Sequence, residues 1–489
     1  NNYIVRIGAG SLGGKGRGLA FLNNFIENID FSRIISGLNI KIPPTSVIGV
    51  FEFDRFLENN NLYKRIYTEK NYDDIKELFL RAKFNDKLTE KLYKYLEVMK
   101  NPLAVRSSGL FEDSLLQPFS GVYSTYLIPN NHTDISVRLK QLTQAIKLVY
   151  ASIFTHSSKA YFDAVSYKFE EEKMAVVIQE VVGHRYGDKF YPHFSGVAQS
   201  YNYYPFSHMK PEDGIALAAI GLGTYVISGE KSYRFSPKFP QLELCSLQDK
   251  VKNTQTSFYA IDLNETEPDL INDGEEAAFV KLDIDAAEVD GTLKHCASVY
   301  DHANERVVQD LSLPGPRVID FANILKHEYM PLAKSLNILL DICKEAMGSP
   351  VEIEFAVDLK KGENNLPTLY LLQIKPIVMQ KNDVNIEVDS IDRNNLLLFS
   401  NRGMGNGKLS HIKDVIFIDI EKFDKTKTED MAREIEALNE KMKKLNKEYI
   451  LIGPGRWGTR DRYIGIPVVW PQISKAKEIV EMGLRDIRL

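Results

Sequence analysis

The chain has 489 residues, 44% of them hydrophobic and 26% charged, and its 61 Lys and Arg against 66 Asp and Glu leave a formal charge of −5. That balance excludes the basic field of a nucleic-acid-binding surface, and the length predicts roughly two to four compact units in place of one core. The three cysteines, Cys245, Cys296 and Cys343, show no Cys-x-x-Cys spacing, which excludes a disulfide framework or a cysteine-rich zinc site and fits a reducing cytoplasm. No apolar run approaches the ~18 residues of a membrane helix, so no membrane partner is expected. The sequence starts at Asn1 without Met and turns strand-like almost at once, so a piece of a longer polypeptide is expected.

Residues 3–7 predict a short strand, followed by a glycine-rich stretch and a helix over residues 19–29. Residues 75–98 read as helical, and residues 103–106 as a strand ending in a Ser-Ser-Gly turn. Ile135, Leu139, Leu142, Ile146, Val149 and Ile153 recur in alternating steps of four and three, which predicts a helix with one buried face. Residues 173–182, KMAVVIQEVV, are apolar over a strand length and belong inside a sheet. Residues 214–229, GIALAAIGLGTYVISG, pass from a helical pattern into a Gly-x-Gly turn, and residues 245–300 are polar and acidic with weak periodicity.

The run VEIEFAVDL, followed by TLYLLQIKPIV, alternates strictly. Val351, Ile353, Phe355 and Val357 fall on one face, and Glu352, Glu354 and Asp358 on the other. A polar loop with Pro367 between the runs predicts a hairpin. Pairing Asp358 with Leu369 sets Glu354 opposite Gln373 and Glu352 opposite Lys375, so that two carboxylates, an amide and an ammonium share one surface. Residues 381–395 read as a linker, and a second unit over residues 396–489 contains Met431, Ile435, Leu438, Met442 and Leu445 at heptad-like steps. Those steps suit either a coiled coil or an ordinary amphipathic helix.

The opening stretch, IVRIGAGSLGGKGRGLAFL, holds two phosphate-binding patterns, each incomplete. Gly8, Gly10 and Gly13 fit G-x-G-x-x-G, but Glu27 and Asp30 fall at a helix end where a Rossmann unit wants an acid ending its second strand. Pro43 and Pro44 are also awkward in a central parallel strand. The Walker pattern fails at Ala9 and at Gly16. Glycines around Lys15, Gly14 among them, could admit an oxyanion to backbone N–H groups beside a point charge, or could form a flexible turn with a solvated lysine. Arg106, at a strand end before Ser107 and Ser108, suits a phosphate through its guanidinium fork, and Ser120 with Gly121 could belong to a lid or a hairpin turn. The like-charged Glu352 and Glu354 ask for a cation, and Mg²⁺ bridging phosphate oxygens would supply it; the alternative is a solvated face with a Glu352–Lys375 pair.

GGKGRGLAFL, LAVRSSGLFEDS, FSGVYSTYL, GLGTYVISG and VEIEFAVDL with LYLLQIKPIV follow one another in that order. Together they resemble the nucleotide-binding domain of the phosphoenolpyruvate synthase and pyruvate phosphate dikinase family. The resemblance implies an α+β, ATP-grasp-type domain of two subdomains over residues 1–380, followed by a smaller α/β unit. By position, Lys15 and Arg106 would contact phosphates, with Gly14 and Ser107 beside them, and Ser120 with Gly121 would belong to the lid. Glu352 and Glu354 resemble the Mg²⁺ acids, with Gln373 and Lys375 next to them. Gln179, Glu180 and Val182 resemble the strand that offers backbone hydrogen bonds to adenine.

The sequence departs from the family at Lys375, where Arg is usual, and at Thr224, where Glu is common in GLGE. It also lacks the Thr-Ser-His run of the family's phosphohistidine segment and the pyruvate-binding barrel. LLLFSNRGMGNGKLSHIKDVIFIDI is similar to the opening strands of the swivelling phosphohistidine domain; His411 within it reads as a surface histidine, and Arg456 with Trp457 as either an anion-binding nest or a packed turn. The resemblance implies a cytoplasmic, ATP- and Mg²⁺-dependent phosphotransferase, incomplete here, that passes a phosphoryl group to a histidine domain or small-molecule acceptor of the full-length protein. A nucleotide-sensing module without catalysis is the first alternative, and a Rossmann NAD-dependent oxidoreductase the second.

Overall fold

The computed structural model describes residues 4–69, 71–112, 123–165, 171–202, 205, 208–243, 246–377, 396–400, 409–459 and 465–483. Its contacts divide the chain into two units: Asn1–Ala151 with Lys173–Met379, and Ser152–Glu172 with Gln380–Leu489. The structure is mixed α+β. Ser120, Gly121, Cys245 and the linker at 381–395 lie outside the described residues.

The first unit is built on two larger sheets. A five-stranded sheet runs in the spatial order Ile4–Ile7, Thr45–Ile48, Met174–Glu180, Leu103–Gly109, Thr125–Ile128. Only its first pair is parallel and the other three are antiparallel. That mixed ladder excludes the doubly wound parallel sheet of a dinucleotide-binding oxidoreductase, so the opening G-x-G-x-x-G does not mark a Rossmann site. A six-stranded sheet runs Tyr233–Phe235, Ile215–Ile220, Phe194–Gln199, Val351–Asp358, Thr368–Pro376, Asn39–Lys41. One apolar cluster reaches into both, from Leu19, Val47 and Val177 to Ile353, Phe355 and Leu371.

Pro43 and Pro44 fall between strands instead of within one. The chain leaves the six-stranded sheet after Lys41 and enters the five-stranded sheet at Thr45, crossing through Ile42, Pro43 and Pro44. Proline has no N–H to give a ladder, so it suits a crossing and not a central strand.

The helix after the glycines begins at Gly13, not Leu19, and runs to Asn28. Gly13 holds φ +70°, and a Cβ there would sit 1.8 Å from the Ser108 carbonyl oxygen; one at Gly18 would sit 2.7 Å from that of Ile374. These glycines bring the helix backbone against a strand of each sheet. Ser108 Oγ completes the contact, accepting from the Gly16 N–H at 2.9 Å and donating to the Leu12 carbonyl at 2.7 Å.

The helical pattern at residues 214–229 is a correction. Residues Ile215–Ile220 form a strand, and only Thr224–Ile227 turn into a short helix. Ala216, Ala218 and Ile220 join the main core, while Ala219 packs with Tyr225 and Val226 on the opposite face. With both faces covered, the strand is apolar throughout and its alternation is lost. Residues 75–98 likewise split into Tyr72–Arg81 and Asp86–Val98, because the Asn85 side chain caps the second helix at the Leu88 N–H, 2.9 Å away. The weakly periodic 245–300 region holds the antiparallel strands Ser257–Asp262 and Phe279–Asp283.

The second unit carries parallel strands Asp414–Phe417, Tyr449–Pro454 and Ala476–Met482 with the helix Thr428–Lys444. That helix buries Ala432, Ile435, Asn439 and Met442 within its own unit, as an ordinary amphipathic helix, and leaves Leu438 and Leu445 exposed. The buried face is turned from the heptad-like stripe because Asn439 is inside. Its oxygen accepts from Tyr449 Oη at 3.1 Å and the Lys475 N–H at 3.0 Å, and its amide donates to the Pro471 carbonyl at 3.1 Å. A buried amide satisfied in this way is tolerated in a core.

Candidate functional site

The hairpin carrying the two glutamates lies at the centre of the six-stranded sheet, and its register is that expected where the glutamates lie. Glu352 pairs with Lys375 and Glu354 with Gln373. Beyond them the ladder shifts, so Asp358 faces Thr368 in place of Leu369. The extra residue is Leu372, whose carbonyl accepts from Gln179 Nε2 at 3.4 Å.

Arg106 belongs to the five-stranded sheet, yet its guanidinium donates to Glu354 at 2.9 Å and to Gln373 at 2.5 Å. Residues 248 and 267 positions away along the chain thus meet one side chain. Burial would raise the Glu354 carboxyl, but the Arg106 and Lys375 charges outweigh it and hold it below the usual carboxylate range. Glu352 is flanked on both neighbouring strands: Lys375 Nζ lies 2.7 Å away and Gln199 Nε2 donates at 2.6 Å.

Lys15, in the first turn of the glycine-rich helix beside the buried Gly14, points to the same strand as Arg106. Its ammonium donates to Ser107 Oγ at 3.1 Å and pairs with Glu112. Glu112 is 1% exposed and also accepts from Ser107 Oγ at 3.1 Å and the Gly109 N–H at 3.0 Å. Three cations therefore stand against three carboxylates: Lys15 with Glu112, Arg106 with Glu354, Lys375 with Glu352. A polyphosphate can take over the cations and a hard metal ion the two strand glutamates. Among the described residues no group of three or more His, Cys, Asp or Glu side chains could hold a metal by itself; two carboxylates with water and phosphate oxygens are a set that suits Mg²⁺.

Glu180 and Val182 line a cavity of about 330 Å³ with Pro43, Pro44, Asn101 and Tyr370 among the other walls. Gln179 does not line it, since its side chain is buried against Thr45 Oγ1 at 3.2 Å. The Glu180 N–H is taken by the Pro44 carbonyl and that of Val181 by Pro102, both at 2.9 Å, so these contacts shape the wall. Thr224 opens the short helix after Gly223. In the second unit, His411 is 60% exposed and pairs with Glu448 at 2.7 Å. Trp457 is packed: its indole N–H donates to the Val480 carbonyl at 3.2 Å, and a Cβ on Gly453 would lie 2.4 Å from its ring.

Glu112 and Gln199 were not among the expected site residues. Glu112 had a signal, an acid six positions after Arg106 within GLFEDS, whereas Gln199 had none, because only strand pairing brings it to Glu352.

The profile described as pyruvate phosphate dikinase, AMP/ATP-binding domain, matches residues 9–395. A curated relative, phosphoenolpyruvate synthase of Aeropyrum pernix, is 30% identical over 177 residues, which are 36% of this chain and 19% of that protein. The matched stretch is thus about a fifth of that relative's length. No described helix is long and apolar enough to cross a membrane. Residues 9–395 take in Lys15, Arg106, the cavity wall and the acidic hairpin, and by that match the chain belongs to the family of the pyruvate phosphate dikinase AMP/ATP-binding domain.

Proposed function

We propose that the chain binds Mg·ATP between its two larger sheets, in the manner of an ATP-grasp domain, and donates a phosphoryl group to a histidine domain or a small-molecule acceptor of the full-length protein. The bridge from Arg106 to Glu354 and Gln373 carries the proposal, because it draws a phosphate-binding cation from one sheet onto the metal-binding acids of the other. Base and triphosphate would lie at opposite ends of one strand face, the base in the cavity at Glu180 and Val182.

Phosphoryl transfer asks mainly for positioning and for charge to meet charge. Glu352 and Glu354 would hold Mg²⁺, which when bound neutralises phosphate oxygens and orients them. Arg106 and Lys375, released from their glutamates, would turn to the phosphates, and Lys15 would add its charge while Glu112 keeps it in place.

A nucleotide-sensing module without transfer is the second reading, favoured by Lys375, an ammonium that cannot form the bidentate fork of an arginine. The test is to incubate the full-length protein with Mg·ATP and separate the nucleotides by chromatography. Release of AMP or ADP supports transfer; bound but unconverted ATP supports sensing. Absence of binding heat at several temperatures overturns both. Glu354→Gln should abolish conversion with the far-UV circular dichroism spectrum retained, and wild-type conversion in that variant would remove the glutamate from the mechanism.

A further inference from the structure

A second polar cluster lies at the other end of the same strand, used by none of the groups around Glu354. Asp358 ends the Val351–Asp358 strand. Its Oδ2 lies 2.8 Å from His184 Nε2, and its Oδ1 accepts the Lys360 N–H at 2.9 Å. His193 Nδ1 stands 3.4 Å from Oδ1 and accepts the Leu359 N–H at 3.1 Å. Burial alone would raise the Asp358 carboxyl, but the hydrogen bonds from His184 and from the Lys360 N–H reverse that and hold it well below the usual range. The cluster therefore presents a fixed anion.

Asp358 and His184 both line the cavity that Glu180 and Val182 wall, with Tyr370 between them and the phosphate end. Asp358 is four residues from Glu354 on the same face, roughly 13 Å at about 3.3 Å per residue. Ala356, the small residue between, keeps the floor low. Asp358 thus lies on the side of the cavity from which the strand runs to Glu354, where the sugar of a nucleotide with its base in the cavity and its triphosphate at Glu354 would come within its reach. An ionised carboxylate has about four lone-pair directions and donates nothing, so what it can receive from a sugar is hydroxyl donors.

Resting on the nucleotide site proposed above, we propose that Asp358, oriented by His184 and the Lys360 N–H, receives the vicinal hydroxyls of the ribose and makes the site select ribonucleotides over deoxyribonucleotides. The competing role is purely mechanical: the His184–Asp358 pair could only tie the His184–Tyr186 strand to the hairpin.

The two roles separate in a binding experiment on the full chain. Titration calorimetry would compare Mg·ATP, Mg·2′-deoxyATP and Mg·3′-deoxyATP with wild type, Asp358→Ala and Asp358→Asn, each checked for folding by circular dichroism. Wild type should prefer ATP to at least one deoxy analogue by about tenfold or more, as expected for a hydrogen bond to a charged group. Asp358→Ala should bring that ratio close to one, with Asp358→Asn intermediate and serving as the readout if the alanine variant does not fold. A tie would weaken all three ligands alike. Equal affinities in wild type, or an unchanged ratio in the folded variants, overturns the ribose role. No binding of any of the three to wild type overturns the nucleotide site, and this inference with it.

Discussion

Lys15 reaches the strand that carries Arg106 already paired with a carboxylate that is 1% exposed. Removing one partner of such a pair strands a charge where water cannot reach it, at a cost of about 3 kcal/mol, while removing both costs much less than the sum. Lys15→Met and Glu112→Gln should therefore each lower stability in urea denaturation by about that amount. Their double variant should show a coupling above about 1 kcal/mol. Additive losses would mean that the contact contributes nothing specific. At this scale the sequence was informative wherever residue type alone narrows the chemistry, as with Arg106 before two serines or Glu352 and Glu354 on one face. It was silent on Gln199, which only strand pairing brings to Glu352, and it offered Glu112 as an acid near Arg106 without the turn at Gly109 and Leu110 that folds its carboxylate back under Lys15.

The glycine-rich helix shows how an element can carry a binding signature for a packing reason. A side chain at Gly18 would press on the Ile374 carbonyl, between Gln373 and Lys375, so bulk there acts on the site through the strand. Gly18→Val should destabilise the fold by about 2 kcal/mol or more, as overpacking does, and weaken Mg·ATP binding in calorimetry. Gly362→Ala, with nothing within 4 Å of the added carbon, should change neither. Elements with one buried face were legible, and so was the hairpin's register at Glu352 and Glu354, though not at Asp358. The Ile215–Ile220 strand was not, because a neighbour on each face erases the period by which strands are recognised. The bulge at Leu372 was equally invisible, since it answers to Gln179 on another sheet.

Across the whole molecule, acid stability depends on carboxyls displaced in both directions. Glu288, gripped by Arg317 through two hydrogen bonds of 2.7 and 2.8 Å, is held below its usual range. Its contribution is present above the unfolded value of about 4.3 and is lost as pH falls through the lower folded value. Asp320 runs the other way: burial raises it, so its cost disappears as it protonates. Urea midpoints of wild type and Glu288→Gln should thus differ near neutrality, by less than about 1 kcal/mol for this partly exposed pair, and converge below pH ~4. A gap that widens in acid would contradict the assigned sign.

The crossing through Ile42, Pro43 and Pro44 also forms part of the cavity wall. With φ fixed at both prolines the crossing is stiff, so this wall of the cavity is held by the backbone itself and not by side-chain contacts alone.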